Sequence, residues 1–373
     1  MAKMNLMSEK IKMDINPDLK RAITSFKTAM NKKYGKDEPV FADGEIRDYP
    51  SISTGSEVLN ALIGNGGLVL GRVHEIHGQS ASGKSTLVTL LCANARRQYP
   101  DKFILYIDAE QAQNFKYMKA LGLDCANDEG VVFVQTQKAE EVFDIVDNAV
   151  KTGGFSLVVV DSIPAMLTER ELKGDFEKET MAEKARFLSK SIPKLLESLK
   201  KANTALVFVN QVRDKMDMWG GLVTPGGKSV PFYSSTRIKV NSTPSMRIRD
   251  DNDKYIGQTI EFTVVKNKVG DPFGVAESDL MFWKGFDPIK ELIELGLKNK
   301  VINQSGSWFK FVPEGKEEIS CQGKNGVYDY LINHLEDVEW LRNLIRNGVD
   351  IFDKAVISDE DVAESEMEPT NEE

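Results

Sequence analysis

Short apolar runs rich in β-branched residues alternate with longer amphipathic stretches between about residues 37 and 283. The runs are RVHEIHG, FILYIDAE, VVFVQ, LVVVDS, ALVFVNQ, RIKV and TIEFTVV. Such runs are typical of buried strands, and the stretches between them have the spacing of helices. The chain therefore predicts alternating βα units that build an α/β fold with a largely buried, mostly parallel central sheet.

Helical segments flank this region on both sides. Apolar residues recur at helical spacing from Pro17 to Tyr34, with Gly35 placed to end the helix. Towards the other end, IKELIELGL and YDYLINHLEDVEWLRNLI predict helices of a smaller α+β unit, followed by a disordered acidic tail. The predicted domains are an N-terminal basic helix in 1–36, a core in 37–285, a small α+β domain in 286–347 and the tail in 348–373.

Composition excludes several classes of protein. The chain has 373 residues, of which 41% are apolar, and no apolar run approaches the ~18 residues of a membrane span. The start of the chain lacks the apolar stretch of a secretory signal, which predicts a cytoplasmic protein without a membrane partner. Three widely spaced cysteines and three histidines without neighbouring ligands predict neither disulfides nor a structural metal site.

The charge is distributed unevenly along the chain. The net charge of −9 comes from the segment 350–373, which holds ten acidic residues and one lysine, so the rest of the chain is balanced. Residues 1–36 contain nine basic and three acidic residues. A chain that is basic at its start and acidic at its end is found among nucleic-acid-binding or self-assembling proteins with an acidic regulatory tail. It is equally found among proteins whose solvated tail has no role.

One segment matches a phosphate-binding pattern. It fits G-x-x-x-x-G-K-[ST] between a predicted strand and a predicted helix, which is the context this motif requires. Its backbone N–H groups can face phosphate oxygens, Lys84 can reach the β/γ-phosphates and Ser85 can bind Mg²⁺, while Thr86 adds a hydroxyl. The motif comprises Gly78, Gln79, Ser80, Ala81, Ser82, Gly83, Lys84 and Ser85. It predicts binding of ATP with Mg²⁺.

Three polar side chains stand at the ends of predicted strands. Asp161 ends LVVVDS and is the candidate Mg²⁺ partner, because P-loop proteins place such a carboxylate at a strand end. Glu110 ends YIDAE and is the candidate general base for the attacking water. Gln211 ends ALVFVNQ and can sense a γ-phosphate without repelling it. Taken alone, these residues would be read as helix caps or turn residues, so their roles depend on the P-loop.

The ordered motifs together resemble the bacterial RecA recombinase family. They are SISTGSEVLNALIGNGGLVLGRVHEIHGQSASGKSTL, YIDAE, LVVVDS, FVNQVR, TPGGKSVPFYSSTRIKV and VVKNKVGDPFG, spread over more than 300 residues. The resemblance implies a RecA-type P-loop core and an ATP-dependent filament on single-stranded DNA that pairs homologous sequences and exchanges strands. It also implies double-stranded DNA, single-strand-binding proteins and mediator proteins as partners.

The resemblance implies roles at the nucleotide. Lys84 and Ser85 look like the phosphate and Mg²⁺ residues, Glu110 the catalytic glutamate, Asp161 the Walker B aspartate and Gln211 the γ-phosphate sensor. Tyr117 looks like the aromatic residue stacked on adenine. In this family ATP lies between subunits, and Lys266 and Lys268 match two catalytic lysines that the next subunit supplies. Phe232 resembles the residue that couples the nucleotide to the neighbouring protomer.

Two loops match the DNA-binding loops of the family, at about 174–186 and 212–228. The second combines cations for phosphates, apolar side chains for bases and a flexible backbone, whereas an ordinary surface loop would expose its tryptophan without reason. The predicted DNA-binding residues are Met181, Arg186, Arg213, Lys215, Met216, Trp219, Gly226 and Gly227.

The chain departs from the family pattern in three places. Its second loop is shorter, Pro193 stands where the family usually has an arginine, and Asn114 replaces an acidic residue near adenine. One DNA contact is therefore lost or moves to Lys190 or Lys194. These differences suggest a divergent bacterial or phage-encoded member, acting in a bacterial cell or an infected host.

Rival functions remain open from the sequence alone. A ring helicase would share the sheet and P-loop, but it usually supplies an arginine finger where this chain has a lysine pair. A passive single-strand-binding protein would need no ATP. A small-molecule phosphotransferase would turn over ATP whether or not DNA is present.

Overall fold

The structure is a computed structural model, which describes residues 17–34, 49–173, 181–214, 222–223 and 226–347. It divides into two compact units, residues 1–48 and 49–373. The predicted acidic tail lies outside the described residues, and the other predicted domain boundaries stay predictions.

The order of helices and strands follows the predicted alternation. The helices are α1 Pro17–Tyr34, α2 Glu57–Ile63, α3 Lys84–Gln98, α4 Phe115–Ala120, α5 Ala139–Lys151, α6 Glu169–Lys173, α7 Met181–Ala202, α8 Ser229–Tyr233, α9 Pro288–Lys298, α10 Gly323–Asn333 and α11 Leu335–Asn347. The strands are β1 Ser51–Ile52, β2 Leu68–Val69, β3 Val73–Gly78, β4 Phe103–Asp108, β5 Val131–Val134, β6 Phe155–Asp161, β7 Ala205–Gln211, β8 Arg213–Asp214, β9 Leu222–Val223, β10 Thr236–Asn241, β11 Arg247–Arg249, β12 Tyr255–Asn267, β13 Val275–Met281, β14 Asn303–Ser305, β15 Trp308–Phe311 and β16 Ile319–Gln322. All seven predicted strands are confirmed.

The first unit is described through α1 alone, which confirms the predicted N-terminal helix. Ile23 and Phe26 belong to its apolar positions, and they are 48% and 52% exposed. About half of the surface of each of these two apolar side chains is therefore exposed.

Within the residues that the structure describes, the central sheet has nine strands, which confirms the α/β fold class. Its order is β11-β12-β10-β3-β7-β6-β4-β5, with β13 also paired to β12. The six strands from β10 to β5 are parallel, while β11, β12 and β13 form an antiparallel extension at one side. Within the described residues, no helix combines the length and apolar character needed to cross a bilayer.

Strand register brings the predicted polar residues to one edge. Gly78 at the end of β3 pairs with Gln211 at the end of β7. Asp108 at the end of β4 pairs with Asp161 at the end of β6. Because these strands are parallel, their carboxyl ends lie together, where open α/β sheets bind ligands.

Helices cover both faces of the sheet with two separate cores. On β7, Val207 and Val209 join the core under α3, whereas Leu206 and Phe208 join the core under α5 and α7. This alternation is what the pleat of a strand buried on both faces imposes. It explains why the parallel strands have continuous apolar runs.

A smaller α+β region follows the sheet. Helices α9 to α11 and the antiparallel strands β14 to β16 enclose a third core, which includes Phe309, Leu331 and Leu341. Val58 of α2 also belongs to it. The predicted helices at this end of the chain are confirmed.

A buried carboxylate joins this region to the rest of the chain. Glu291 of α9 is 5% exposed and accepts hydrogen bonds from the Ser56 hydroxyl at 2.7 Å, the Glu57 N–H at 2.5 Å and the Ser278 hydroxyl. Burial raises the pKa of Glu291 to about 7, against the hydrogen bonds that lower it. Between pH 4.5 and about 7, the Glu291 carboxyl is therefore protonated in the folded protein and ionised in the unfolded chain.

We expect the free energy of unfolding of Glu291→Gln, relative to that of the wild type, to be higher at pH 8 than at pH 5.5. The pKa of Glu291 in the folded protein lies above its unfolded value of 4.5. The stability that its protonation contributes is therefore complete below pH 4.5 and is lost as the pH rises through about 7. Between pH 5.5 and 8 the wild type should lose about 2 kcal/mol that the amide variant keeps. Urea unfolding at both pH values measures this. The control is Glu294→Gln on the same helix, whose carboxylate is exposed and paired with Lys324. Equal pH dependence of wild type and Glu291→Gln would contradict the expectation.

Candidate functional site

The loop between β3 and α3 can be built only with its glycines. Gly83 has a φ of 95°, and an added Cβ would lie 2.8 Å from Ile260 Cδ1. A Cβ on Gly78 would lie 2.0 Å from the Val240 carbonyl oxygen. Backbone therefore packs closely here, and α3 starts directly at Lys84 with its N-terminal N–H groups directed to the loop.

Lys84 is held inside this loop. Its Nζ donates to the carbonyl oxygens of Gly78 at 3.0 Å and Gln79 at 2.6 Å. Desolvation lowers the pKa of Lys84, while the carboxylates of Asp161 and Glu110 raise it. The ammonium group is thus positioned beside the loop N–H groups, where a phosphate would replace its carbonyl partners.

Asp161 is the candidate oxygen ligand for a divalent cation. It is 2% exposed, and its Oδ2 accepts from Tyr106 Oη at 2.8 Å and Gln113 Nε2 at 2.9 Å. Burial raises its pKa to about 6, Glu110 adds to this, and hydrogen bonds from Tyr106 and Ser85 oppose it. The negative charge of Asp161 is buried and lies near another carboxylate, so a cation would stabilise it. Together with the nearby Ser85 hydroxyl, this carboxylate fits Mg²⁺.

As candidate ligands, Ser85 and Asp161 suit magnesium in particular. Within the described ranges no group of three or more His, Cys, Asp or Glu side chains could hold a metal. Mg²⁺ usually takes one or two protein ligands together with water and substrate phosphates, so a P-loop serine and one carboxylate suffice.

The structure brings Glu110 and Gln211 together. Glu110 Oε1 accepts from Gln211 Nε2 at 3.0 Å and from Ser162 Oγ at 2.5 Å. Glu110 is exposed, so water can reach its carboxylate. Sequence reasoning missed Ser162, although it follows Asp161 directly and a hydroxyl beside a strand-end carboxylate was a usable signal.

Tyr117 lies beside the P-loop helix on α4. Its hydroxyl is 3.3 Å from Thr86 Oγ1, and its ring meets Trp283 edge-on with centroids 5.0 Å apart. Asn114 caps α4 by accepting from the Tyr117 N–H at 3.1 Å. The residue that departs from the family pattern therefore helps to position Tyr117. Trp283 was missed, because nothing in the sequence relates it to Tyr117.

A cavity of about 480 Å³ opens over the P-loop. One wall consists of Ala81, Gly83, Lys84, Ser85 and Thr86, and the other of Arg247, Tyr255, Gln258 and Phe282. The second wall belongs to the antiparallel extension and was also missed. Only the topology of the sheet brings it to the P-loop.

Lys266 lies towards the amino ends of the parallel strands, away from the P-loop, because it pairs with Arg237 of β10, which in turn pairs with Glu75 of β3. Lys266 Nζ donates to the carbonyl oxygens of Pro231 at 2.8 Å and Phe232 at 2.9 Å, both on α8. Burial lowers the pKa of Lys266 to about 8, and the charge of Lys268 adds to this. Lys268 follows the end of β12 and is exposed, so the two cations lie near each other at the strand end.

The predicted DNA-binding residues are described only in part. Lys215, Met216 and Trp219 lie outside the described residues, as do the side chains of Met181 and Arg213. Arg186 is exposed on α7. Four and eight residues further along this helix, Lys190 and Lys194 are also exposed, so the three cations share a face.

The two glycines of the second loop pack against α7. Both have positive φ, 100° for Gly226 and 71° for Gly227. An added Cβ would lie 3.0 Å from Leu188 Cδ1 at Gly226 and 2.7 Å from Ala185 Cβ at Gly227. Larger residues here would push the end of the loop away from the helix.

A parallel sheet with a P-loop after β3 and carboxylates at the ends of β4 and β6 defines a P-loop nucleotide-binding protein. Residues 21–287 match the RecA N-terminal domain family. The chain is 34% identical to Protein RecA of Staphylococcus carnosus over 92% of its length and 94% of the relative's. It is also 34% identical to Protein RecA of Paracoccus denitrificans, covering 93% and 96%. The chain belongs to the RecA family of DNA recombinases.

Proposed function

We propose that the chain is an ATP-dependent recombinase that forms a helical filament on single-stranded DNA, pairs it with homologous duplex DNA and exchanges strands. Single-stranded DNA stimulates its ATP hydrolysis. As a DNA recombinase, it acts in the cytoplasm of a bacterial cell or of an infected host. Single-strand-binding and mediator proteins would load it.

The observation that carries this proposal is the hydrogen bond between Glu110 and Gln211. Glu110 can act on the attacking water, and Gln211 ends β7 directly before residue 212, where the second DNA loop begins. A γ-phosphate that draws the Gln211 amide away from Glu110 would at once free the base and move the start of this loop. The same contact thus relates ATP to DNA binding.

Each residue has a defined task in hydrolysis. Lys84 and the loop N–H groups hold the β- and γ-phosphates. Mg²⁺, held by Ser85 and Asp161, would neutralise phosphate charge. Glu110 takes a proton from the attacking water while the water oxygen bonds to the γ-phosphorus. The bond from this phosphorus to the bridging oxygen of ADP then breaks.

Lys266 and Lys268 would complete the site from the neighbouring protomer. Cations at the γ-phosphate stabilise the charge of the transition state. In its own chain, Lys266 bonds to the carbonyls of Pro231 and Phe232. Turning towards a neighbour's phosphate would release α8, which follows the second DNA loop directly. Lys266 and Phe232 would in this way transmit the nucleotide state.

The cationic face of α7 supports DNA binding beside this loop. Arg186, Lys190 and Lys194 are exposed at four-residue spacing, which suits contacts to successive phosphates. Lys190 and Lys194 flank Pro193, where the family usually has an arginine. They supply the charge that Pro193 cannot.

The function is tested by ATP hydrolysis with and without single-stranded DNA, alongside electron micrographs of the same mixtures. We expect DNA-stimulated turnover and helical filaments. DNA-independent turnover with closed rings would instead favour a helicase. DNA binding that does not depend on ATP would favour a passive single-strand-binding protein. ATP turnover that ignores DNA without rings would favour a phosphotransferase.

A further inference from the structure

Arg247 faces the P-loop across the nucleotide cavity. The only charged side chains that line this cavity among the described residues are Lys84 on one wall and Arg247 on the other, and no carboxylate lines it. An opening with two cations and no anion attracts a multiply charged anion.

The position of Arg247 is fixed by strand register. Arg247 pairs with Gln258 across β11 and β12, so their side chains stand on the same face of the sheet. Gln258 Nε2 in turn donates to the Ala81 carbonyl oxygen of the P-loop at 3.4 Å. The ring of Tyr255 supports the guanidinium, with its centroid 5.5 Å from Arg247 Cζ. Strand register therefore places Arg247, which is exposed, on the cavity wall opposite the P-loop.

Arg249 on the same strand provides the comparison, because its guanidinium is already paired within the protein. Its Nη1 is paired with Asp253 at 2.5 Å, its Nη2 donates to Tyr255 Oη at 2.5 Å, and its Cζ lies 4.5 Å from the Tyr255 ring centroid. Within the described part of the chain, no carboxylate is paired with Arg247. Asp253 therefore neutralises the charge of Arg249, whereas the guanidinium of Arg247 lines the cavity without a paired carboxylate among the described residues.

We propose that Arg247 binds a phosphate group of the nucleotide from the same protomer that supplies the P-loop. This proposal rests on the function proposed above. A guanidinium can make two parallel hydrogen bonds to phosphate oxygens, which adds both affinity and orientation. Unlike Lys266 and Lys268, it needs no neighbour. A single protomer would therefore load ADP or ATP before it joins a filament.

The test is equilibrium binding of ADP with Mg²⁺ by calorimetry, without DNA. We expect Arg247→Gln to weaken ADP binding about ten-fold, since one charge-assisted contact of this kind is lost. Arg247→Lys should weaken it less, because the charge remains but the paired hydrogen bonds do not. The matched control, Arg249→Gln, should stay within about two-fold of wild type. The affinity of Arg247→Gln should also depend less steeply on salt.

Four outcomes separate the possibilities. Unchanged ADP affinity in Arg247→Gln would overturn this inference and leave the recombinase proposal intact. Failure of the wild type to bind any nucleotide would overturn the recombinase proposal itself. A variant that binds ADP normally but loses single-stranded DNA would make Arg247 a DNA contact, contradicting the inference. Should Arg247→Gln not fold, Arg247→Lys decides: weakened ADP binding supports the inference, and unchanged binding contradicts it.

Discussion

Glu110→Gln is expected to lower DNA-stimulated ATP hydrolysis by about a hundred-fold or more, which is the contribution of a positioned general base. A glutamine can still accept hydrogen bonds from Ser162 and face Gln211, but its amide oxygen cannot take the proton of the attacking water. Binding of ATP and filament formation should persist, because Lys84, Ser85 and Asp161 are untouched. Steady-state turnover and filament length measure the two effects separately.

The matched control for this variant is Glu129→Gln, which removes an exposed carboxylate outside the site. It should hydrolyse ATP as the wild type does. Full turnover by Glu110→Gln would show that another group accepts the proton. Loss of ATP binding together with turnover would show that Glu110 holds the site together instead.

Lys266→Ala should reduce ATP hydrolysis on DNA by about a hundred-fold, the effect of removing one group that stabilises transition-state charge. ADP binding by the protein without DNA should not change, because Lys266 bonds to α8 and not to its own P-loop. This split between turnover and binding is what a residue acting on a neighbour's nucleotide requires. Lys268→Ala should act in the same direction without disturbing α8, since Lys268 is exposed.

Lys290→Ala, an exposed lysine on α9, is the control and should leave turnover unchanged. If Lys266→Ala weakened ADP binding by the protein without DNA as strongly as it slowed turnover, the lysine would serve its own protomer. Normal turnover in both Lys266→Ala and Lys268→Ala would remove the lysine pair from the mechanism.

The sequence predicted the sheet and the phosphate loop because both are encoded locally. A strand buried on both faces needs a continuous apolar run, as in β6 and β7. A P-loop needs glycines at fixed positions, since a Cβ on Gly78 or Gly83 would collide with β10 or β12. Glu110 and Gln211, 101 residues apart, could be placed at one edge because parallel strands align their carboxyl ends.

What the sequence could not predict depends on pairing between distant strands. Arg247, Tyr255 and Gln258 reach the P-loop only because β11 and β12 extend the parallel sheet in the antiparallel sense. Glu291 looks like any helix carboxylate until α2 and β13 bury it. The bonds from Lys266 to α8 are likewise set by tertiary packing and leave no pattern of spacing.

Mixing the two inactive variants tests most directly whether ATP is hydrolysed between two protomers. In a filament of Glu110→Gln and Lys266→Ala at equal amounts, some sites combine Glu110 of one protomer with Lys266 of the next. If the arrangement along the filament is random, about a quarter of the sites are complete, and turnover should recover to about a quarter of wild type. If turnover in the mixture stays at the level of the separate variants while mixed filaments form, both residues serve one protomer and the account is contradicted.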